Sequence, residues 1–154
     1  MKGRQRHILV DTQGFLLKVP VHSAGIYDRN GGQMLLERGV AEQFPPIQHL
    51  WVDLGYRGRF VHWVQDTLHW RVEVSKHWWQ GVSKVWVAPG QDAPTYPAGF
   101  QILAWRWIVE RTFAWLNLNR RLSKDYEFLP QTSETWIYLA MSRLMLRRLA
   151  NHQY

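Results

Sequence analysis

The fold is decided by the stretch Ile47-Gln48-His49-Leu50-Trp51-Val52-Asp53-Leu54-Gly55-Tyr56. Its apolar run ends in an aspartate and is broken at Gly55, which is typical of a buried strand followed by a turn. A helix from about Gly58 to Leu68 and an alternating strand, Trp70-Arg71-Val72-Glu73-Val74, come next. We therefore expect a strand, helix, strand unit with Asp53 at the carboxyl end of its first strand, where α/β sheets bind ligands.

The segments before this unit predict a hairpin and a helix. The hairpin joins Arg6-His7-Ile8-Leu9-Val10-Asp11 to Phe15-Leu16-Leu17-Lys18-Val19-Pro20-Val21 through Thr12-Gln13-Gly14, where the glycine permits a positive φ. Asp28 is expected to cap a helix that ends at Pro45-Pro46. Strands that alternate with helices after a hairpin indicate an α/β fold.

The segments after the unit predict an insertion and two long helices. Residues 77–99 are rich in Trp, Pro and Gly and are expected to form an insertion loop. A helix is predicted from about Gln101 to Arg121, and Thr132 is expected to cap a final amphipathic helix. We expect one domain over residues 1–150, followed by a short tail at 151–154.

Length and composition limit the possible functions. The chain has 154 residues, which fits one domain, since domains typically run about 100–200 residues. Lys and Arg number 19 against 12 Asp and Glu, and the net charge of +7 favours a phosphate-rich partner or another acidic surface. Without cysteine there is neither a disulfide framework nor a thiolate zinc site. No apolar run reaches the length of a membrane span, and we expect a cytoplasmic protein.

Several common chemistries lack their usual motifs. The sequence contains no Gly-x-x-x-x-Gly-Lys phosphate loop, no Gly-x-Gly-x-x-Gly turn and no Gly-x-Ser-x-Gly elbow. Its seven histidines do not form the helical His pair with a glutamate that zinc proteases use. Nucleotide hydrolysis, dinucleotide chemistry, serine esterase chemistry and zinc proteolysis are therefore disfavoured.

Two carboxylates are candidates for catalysis, and each has a structural alternative. Asp53 ends a strand and could reach a hard cation, or it could cap the turn that follows. Glu110 lies among apolar residues of the predicted helix, where a carboxylate needs a partner or a metal. Arg106 lies four residues earlier, so a helical Arg106 to Glu110 ion pair is the alternative there.

Basic residues follow the Glu110 helix. Arg120, Arg121 and Lys124 could neutralise a nucleic-acid backbone near the two carboxylates. Alternatively, they complement the dipole at the end of a helix. The sequence by itself leaves both interpretations open.

Several motifs, in this order, resemble those of bacterial insertion-sequence transposases of the DDE class. They are Lys2-Gly3-Arg4-Gln5-Arg6-His7-Ile8-Leu9-Val10-Asp11-Thr12, Asp53-Leu54-Gly55-Tyr56-Arg57-Gly58, Trp107-Ile108-Val109-Glu110-Arg111-Thr112-Phe113-Ala114-Trp115-Leu116-Asn117 and Arg120-Arg121-Leu122-Ser123-Lys124-Asp125-Tyr126-Glu127. The resemblance covers nearly the whole chain and is weakest over the insertion at 77–99.

The resemblance implies a fold and an activity. The fold is a ribonuclease-H-like mixed sheet flanked by helices, with a C-terminal amphipathic helix. In such enzymes three carboxylates hold two Mg²⁺ or Mn²⁺ ions, which cleave phosphodiester bonds and transfer strands at insertion-sequence ends. By this resemblance Asp53 is the second aspartate and Glu110 the glutamate, both catalytic and metal-binding, and Arg106 contacts DNA. Arg120, Arg121 and Lys124 are the other expected DNA contacts, with terminal inverted repeats and target DNA as partners and a homo-oligomer as the assembly.

The sequence departs from the family pattern in three places. Asn117 replaces a basic residue, Leu103 replaces a tyrosine, and the strand with the first aspartate belongs before Lys2. We therefore expect the central strand and the first carboxylate to be absent, and the chain to be inactive unless the product of an upstream frame supplies them. A mis-called start of translation would also explain the missing strand. The alternative functions are a non-catalytic DNA-binding remnant or regulator of an intact transposase, and a nuclease or ribonuclease on the same fold. Either form is expected in the bacterial cytoplasm, associated with the nucleoid.

Overall fold

The computed structural model describes residues 3–75 and 105–151, and its elements confirm the α/β class. Predictions for the insertion at 77–99 and for the helix at 101–104 lie outside the described residues. Among the described residues no helix is both long and apolar enough to cross a membrane. The elements are β1 (Arg4–Arg6), β2 (Leu9–Val10), β3 (Leu16–Lys18), β4 (Val21–Ser23), α1 (Asp28–Leu36), α2 (Val40–Gln43), β5 (His49–Asp53), a 3₁₀ turn (Leu54–Tyr56), α3 (Arg59–Leu68), β6 (Arg71–Ser75), α4 (Arg106–Asn117) and α5 (Pro130–Asn151).

The unit after the hairpin is a parallel strand, helix, strand arrangement, as predicted. β5 pairs with β6 in parallel from His49 opposite Arg71 to Asp53 opposite Ser75. The crossover helix α3 buries Phe60 and Val64 in the same apolar cluster as Leu50 of β5. Because the face of β5 and β6 that packs on α3 is apolar, the register of these two strands is fixed. Asp53 lies at the carboxyl end of β5.

The predicted hairpin is present, but each of its long runs is split in two. β2 pairs with β3 in antiparallel fashion, and Gly14 in the turn has φ 84°. β1 pairs with β4 in a separate ladder, with Arg6 opposite Val21. Pro20 lies between the two ladders and has no N–H, so a continuous ladder cannot form there.

Several predicted helix boundaries were wrong. Asp28 does not cap α1: Tyr27 is the N-cap residue, and the Asp28 carboxylate accepts a hydrogen bond from Gln5 Nε2 at 2.6 Å. The helical region that follows is interrupted at Gly39, whose φ is 74°. α4 ends at Asn117 rather than near Arg121. α5 begins at Pro130, before the predicted cap at Thr132, because proline suits the first turn of a helix, where no N–H partner is needed.

A second apolar cluster joins the C-terminal helices to the hairpin. Ile137 and Met141, one turn apart on α5, are buried with Leu116 of α4 and with Val19 and Val21 of the hairpin region. The predicted C-terminal helix is present, but it is less amphipathic than expected, because Leu139, Leu146 and Leu149 of the same helix are exposed. The cluster therefore holds α4 and α5 against the first part of the chain.

The described strands form three two-stranded sheets, β1 with β4, β2 with β3, and β5 with β6. Within residues 3–75 and 105–151 no ladder connects one pair to another. A single ribonuclease-H-like sheet therefore stays a prediction.

Asp125 connects β1 and α5 to the loop of residues 118–129, which is called the Asp125 loop below. Its Oδ1 accepts hydrogen bonds from Arg4 Nη1 at 3.2 Å, Ser133 Oγ at 2.7 Å and the Glu127 N–H at 3.2 Å. Arg6 Nη1 also donates to the carbonyl oxygen of Leu122 at 3.0 Å. Burial alone would raise the pKa of the Asp125 carboxyl, but the hydrogen bonds and the Arg4 and Arg6 charges outweigh it and lower the pKa.

Asp125→Asn should destabilise the fold by roughly 1–3 kcal/mol, because it removes the charge that Arg4 needs and weakens the hydrogen bonds of Ser133. A folded-state pKa below 3.8 means that the carboxylate stabilises the protein above that pH. This contribution is lost as the pH falls through the folded-state pKa. Urea unfolding at neutral and acidic pH should therefore show a smaller acid effect in Asp125→Asn than in the unmodified chain.

Asp66→Asn is the matched control, since Asp66 is exposed on α3. It should leave both the unfolding midpoint and its acid dependence nearly unchanged. Equal effects of the two substitutions would contradict the role assigned to Asp125.

Candidate active site

Asp53 caps the turn that follows its strand, which was the structural alternative for this residue, and its role toward a cation stays a prediction. Its Oδ1 accepts a hydrogen bond from the Leu54 N–H at 2.7 Å and so begins the 3₁₀ turn after β5. The residue is nevertheless exposed and lines a cavity of about 280 Å³. A carboxylate held by one oxygen to the backbone has a defined direction.

Glu110 of α4 lines the same cavity. The residue is exposed, so its apolar neighbours do not enclose it as the sequence suggested. The fold thus brings together the two carboxylates singled out in the sequence, one from the end of a strand and one from a distant helix. The Arg106 side chain lies outside the described part of the structure, and the predicted ion pair and DNA contact of Arg106 stay predictions.

The cavity lies between β2 and β5. Leu9 contributes from β2, and Leu50, Trp51 and Val52 contribute from β5. A second cavity, of about 490 Å³, is lined by Leu9 and Val10 on one side and by residues of β5 on the other. Among the described residues β2 pairs only with β3 and β5 only with β6. Two strand edges therefore face a largely apolar gap.

His7 and Tyr56 form a polar wall of this cavity that the sequence analysis missed. The Tyr56 hydroxyl lies 2.5 Å from His7 Nδ1, and both residues line the cavity beside Asp53. The His7 ring stacks on His22 with centroids 4.8 Å apart. A Cβ at Gly31 would overlap the His7 ring, so this close approach requires glycine. His7 and Tyr56 do lie within the quoted motifs, but no spacing rule connects them.

The pKa values of this pair explain its hydrogen bond. Burial raises the pKa of Tyr56, and the charges of Asp28 and Asp53 raise it further. Burial also lowers the pKa of His7, with the same effect from His22 and an opposing one from Asp28. Both shifts favour the neutral forms, so the Tyr56 hydroxyl and His7 Nδ1 share a hydrogen bond between two uncharged groups.

The basic residues after α4 differ in their surroundings. Arg120 and Lys124 are exposed. Arg121 Nε donates to Glu127 Oε1 at 3.0 Å, and its guanidinium lies 4.3 Å from the centroid of the Trp136 ring. All three residues are exposed, and Arg121 differs from Arg120 and Lys124 in that it also contacts the Asp125 loop and α5.

The described residues do not by themselves make a complete metal site. Asp53 and Glu110 share a cavity, but within residues 3–75 and 105–151 no group of three acidic or histidine side chains could hold an ion. Mg²⁺ requires near-octahedral oxygen coordination, usually from carboxylates, substrate and water. The pair therefore offers part of a ligand set.

Comparison with known proteins identifies the class. A family model described as a transposase DDE domain matches residues 50–147, which is more than half of the chain. No curated protein and no solved structure matches the chain. The chain belongs to the transposase DDE domain family, and its function is related to transposition. The matched span includes Asp53, Glu110 and the Asp125 loop.

Lowering the pH from about 7 to 5 should destabilise the protein in part through His7. A folded-state pKa below 6.5 means that the unfolded chain takes up the proton first, so stability falls as the pH drops through that range. His7→Phe should keep a ring at this position and reduce the pH dependence of the unfolding midpoint. NMR titration should place the His7 pKa below that of an exposed histidine.

His62, exposed on α3, provides the control. His62→Phe should leave the pH dependence of stability unchanged. A His7 pKa at or above 6.5 would contradict the neutral His7 described here.

Proposed function

We propose that this chain contributes Asp53 and Glu110 to the catalytic site of a DNA transposase. The proposed reaction is metal-dependent phosphodiester cleavage and strand transfer at the ends of an insertion sequence. The observation that carries the proposal is the shared cavity: two carboxylates from β5 and α4 line it in a chain of the transposase DDE domain family. Mg²⁺ or Mn²⁺ is the proposed cofactor, because carboxylate oxygens suit such hard cations.

The third carboxylate is proposed to come with an additional strand between β2 and β5. The facing edges of these strands carry backbone N–H and C=O groups that a further strand could pair. The gap between them is lined largely by apolar residues, with polar side chains at the cavity of Asp53 and Glu110. A strand in this gap that ended level with Asp53 would deliver a side chain to the cavity. We propose that the product of an upstream frame supplies it and that the chain alone does not cleave DNA.

DNA is the proposed partner, both as the terminal inverted repeats of the element and as the target. The net charge of +7 and the exposed Arg120 and Lys124 support binding to a phosphate backbone. Arg106 and Arg121 are proposed as further contacts, within an oligomeric transposase at the bacterial nucleoid. The incomplete ligand set at Asp53 and Glu110 also supports a second candidate, a non-catalytic DNA-binding regulator of an intact transposase.

Excision of a marked element from a plasmid tests the catalytic proposal. The gene is expressed together with its upstream DNA, and the element ends are taken from the flanking sequence. Asp53→Asn and Glu110→Gln should each abolish excision, because each removes a charged ligand oxygen while preserving shape. DNA affinity measured without metal should be unchanged in both variants, since phosphate contacts dominate binding.

The matched controls are two substitutions at exposed positions: Asp66→Asn on α3 and Glu37→Gln at the C-terminal boundary of α1. Both variants should excise the element normally. Normal excision by Asp53→Asn or Glu110→Gln would refute the catalytic proposal. DNA binding without excision by the unmodified system would favour the regulator.

The salt dependence of DNA binding tests the basic residues. Arg120→Ala and Lys124→Ala should each reduce the slope of log K against log salt concentration by about 1, as expected for one lost phosphate contact. Arg121→Ala should reduce the slope less and lower the thermal unfolding midpoint, since it also loses Glu127 and Trp136. Lys18→Ala is the control, because Lys18 Nζ donates to Gln43 Oε1 at 2.8 Å. An unchanged slope in Arg120→Ala and Lys124→Ala would exclude this surface as the phosphate contact.

A further inference from the structure

A groove of about 1000 Å³ opens beside the cavity that holds the two carboxylates. Its walls are β1, the Asp125 loop and the end of α4. Arg6 and Phe113 line both the groove and the cavity. Glu110, Phe113 and Asn117 are spaced i, i+3 and i+7 and share one face of α4. The groove and the cavity are therefore neighbours along a single helix face.

Two aromatic side chains at this groove point into solvent. Tyr126 is 80% exposed and Phe128 is 92% exposed, and both line the groove. A single exposed apolar side chain is ordinary on a protein surface. Two aromatic rings in one short loop beside a candidate active site need a further explanation, since each could lower its free energy by burial.

The backbone around these rings is held in place. Arg4 Nη2 donates to the carbonyl oxygen of Phe128 at 2.6 Å, and the Glu127 N–H donates to Asp125 Oδ1 at 3.2 Å. Ser133 at the start of α5 anchors the same carboxylate. The rings are thus presented on a fixed backbone, so binding a partner through them costs little conformational entropy.

The charges near the rings favour a nucleic acid over an apolar protein surface. Lys124 lines the groove together with the two aromatic residues, and Arg120 is exposed in the same loop. Cations that meet phosphates and aromatic rings that meet base faces are the combination by which proteins hold single-stranded nucleic acid. In a duplex the base faces are already stacked, so only unpaired or splayed bases could contact these rings.

We propose that Tyr126 and Phe128 stack on unpaired bases of a DNA strand that passes from this groove to the cavity of Asp53 and Glu110. The inference rests on the proposed function, since it requires DNA as the substrate. It adds that the DNA is bound with bases separated next to the reacting phosphodiester, and that this loop holds them apart.

Binding of the full chain to two fluorescent DNA probes tests this inference. One probe is a blunt duplex, and the other is the same duplex with an unpaired extension that contains 2-aminopurine. The unmodified chain should bind the extended probe more tightly and quench the 2-aminopurine. Phe128→Ala and Tyr126→Ala should each weaken binding to the extended probe by roughly five- to a hundredfold, as for one lost base stack. Both alanine variants should bind the blunt duplex as tightly as the unmodified chain, with the same slope of log K against log salt concentration. Phe128→Trp should restore the preference for the extended probe over the blunt duplex.

Leu149→Ala is the matched control. Leu149 is 65% exposed on α5, about 28 Å along the helix from Pro130 at a rise of about 1.5 Å per residue. It should bind both probes like the unmodified chain.

Four outcomes would overturn the inference. The first is equal binding of the two probes by the unmodified chain, and the second is an unchanged preference for the extended probe in both alanine variants. The third is an equal loss of affinity for both probes in the alanine variants. The fourth is a change in sedimentation showing that the rings join two copies of the chain. The first three leave DNA binding, and so the proposed function, in place. Failure to bind either probe would count against both.

Discussion

The parallel pairing of β5 with β6 is the constraint on which the candidate site depends. Parallel strands need a crossover, which here is α3, and burial of Phe60 and Val64 holds that helix on the pair. The side-chain period of a strand is two, so a shift of one residue would turn Asp53 toward the opposite face. The apolar cluster under α3 therefore determines, at a distance, where this carboxylate points. Glu110 lines the same cavity because α4 packs across the same region.

Asp125 makes a second long-range connection, which shapes the groove rather than the cavity. It joins Arg4 near the start of the described chain to Ser133 at the start of α5. The basic residues of β1 are partly engaged inside the protein, because Arg4 and Arg6 both bond the Asp125 loop. Charge near the start of the described chain therefore acts indirectly, by fixing the loop on which Arg120 and Lys124 are exposed.

The sequence predicted the elements whose signals are local. The apolar run into Asp53, the helix ending at Leu68 and the strand after it were all predicted correctly, because an apolar run, a helical period and an alternating run each leave a pattern within a short segment. Asp28 was misread, since its carboxylate bonds Gln5 across the fold instead of its own helix. His7 and Tyr56 were missed for the same reason: their contact joins residues 49 positions apart and depends on the absence of a side chain at Gly31.

Within residues 3–75 and 105–151, the two carboxylates lie at the gap between β2 and β5, where no ladder joins the two strand pairs. Both belong to one place in the fold, because the apolar cavity between the strand edges is also the cavity that Asp53 and Glu110 line. A strand that entered there would gain backbone hydrogen bonds and apolar burial, and it would bring any side chain at its end beside the two carboxylates. Folding energy and catalytic competence would then arise from the same event.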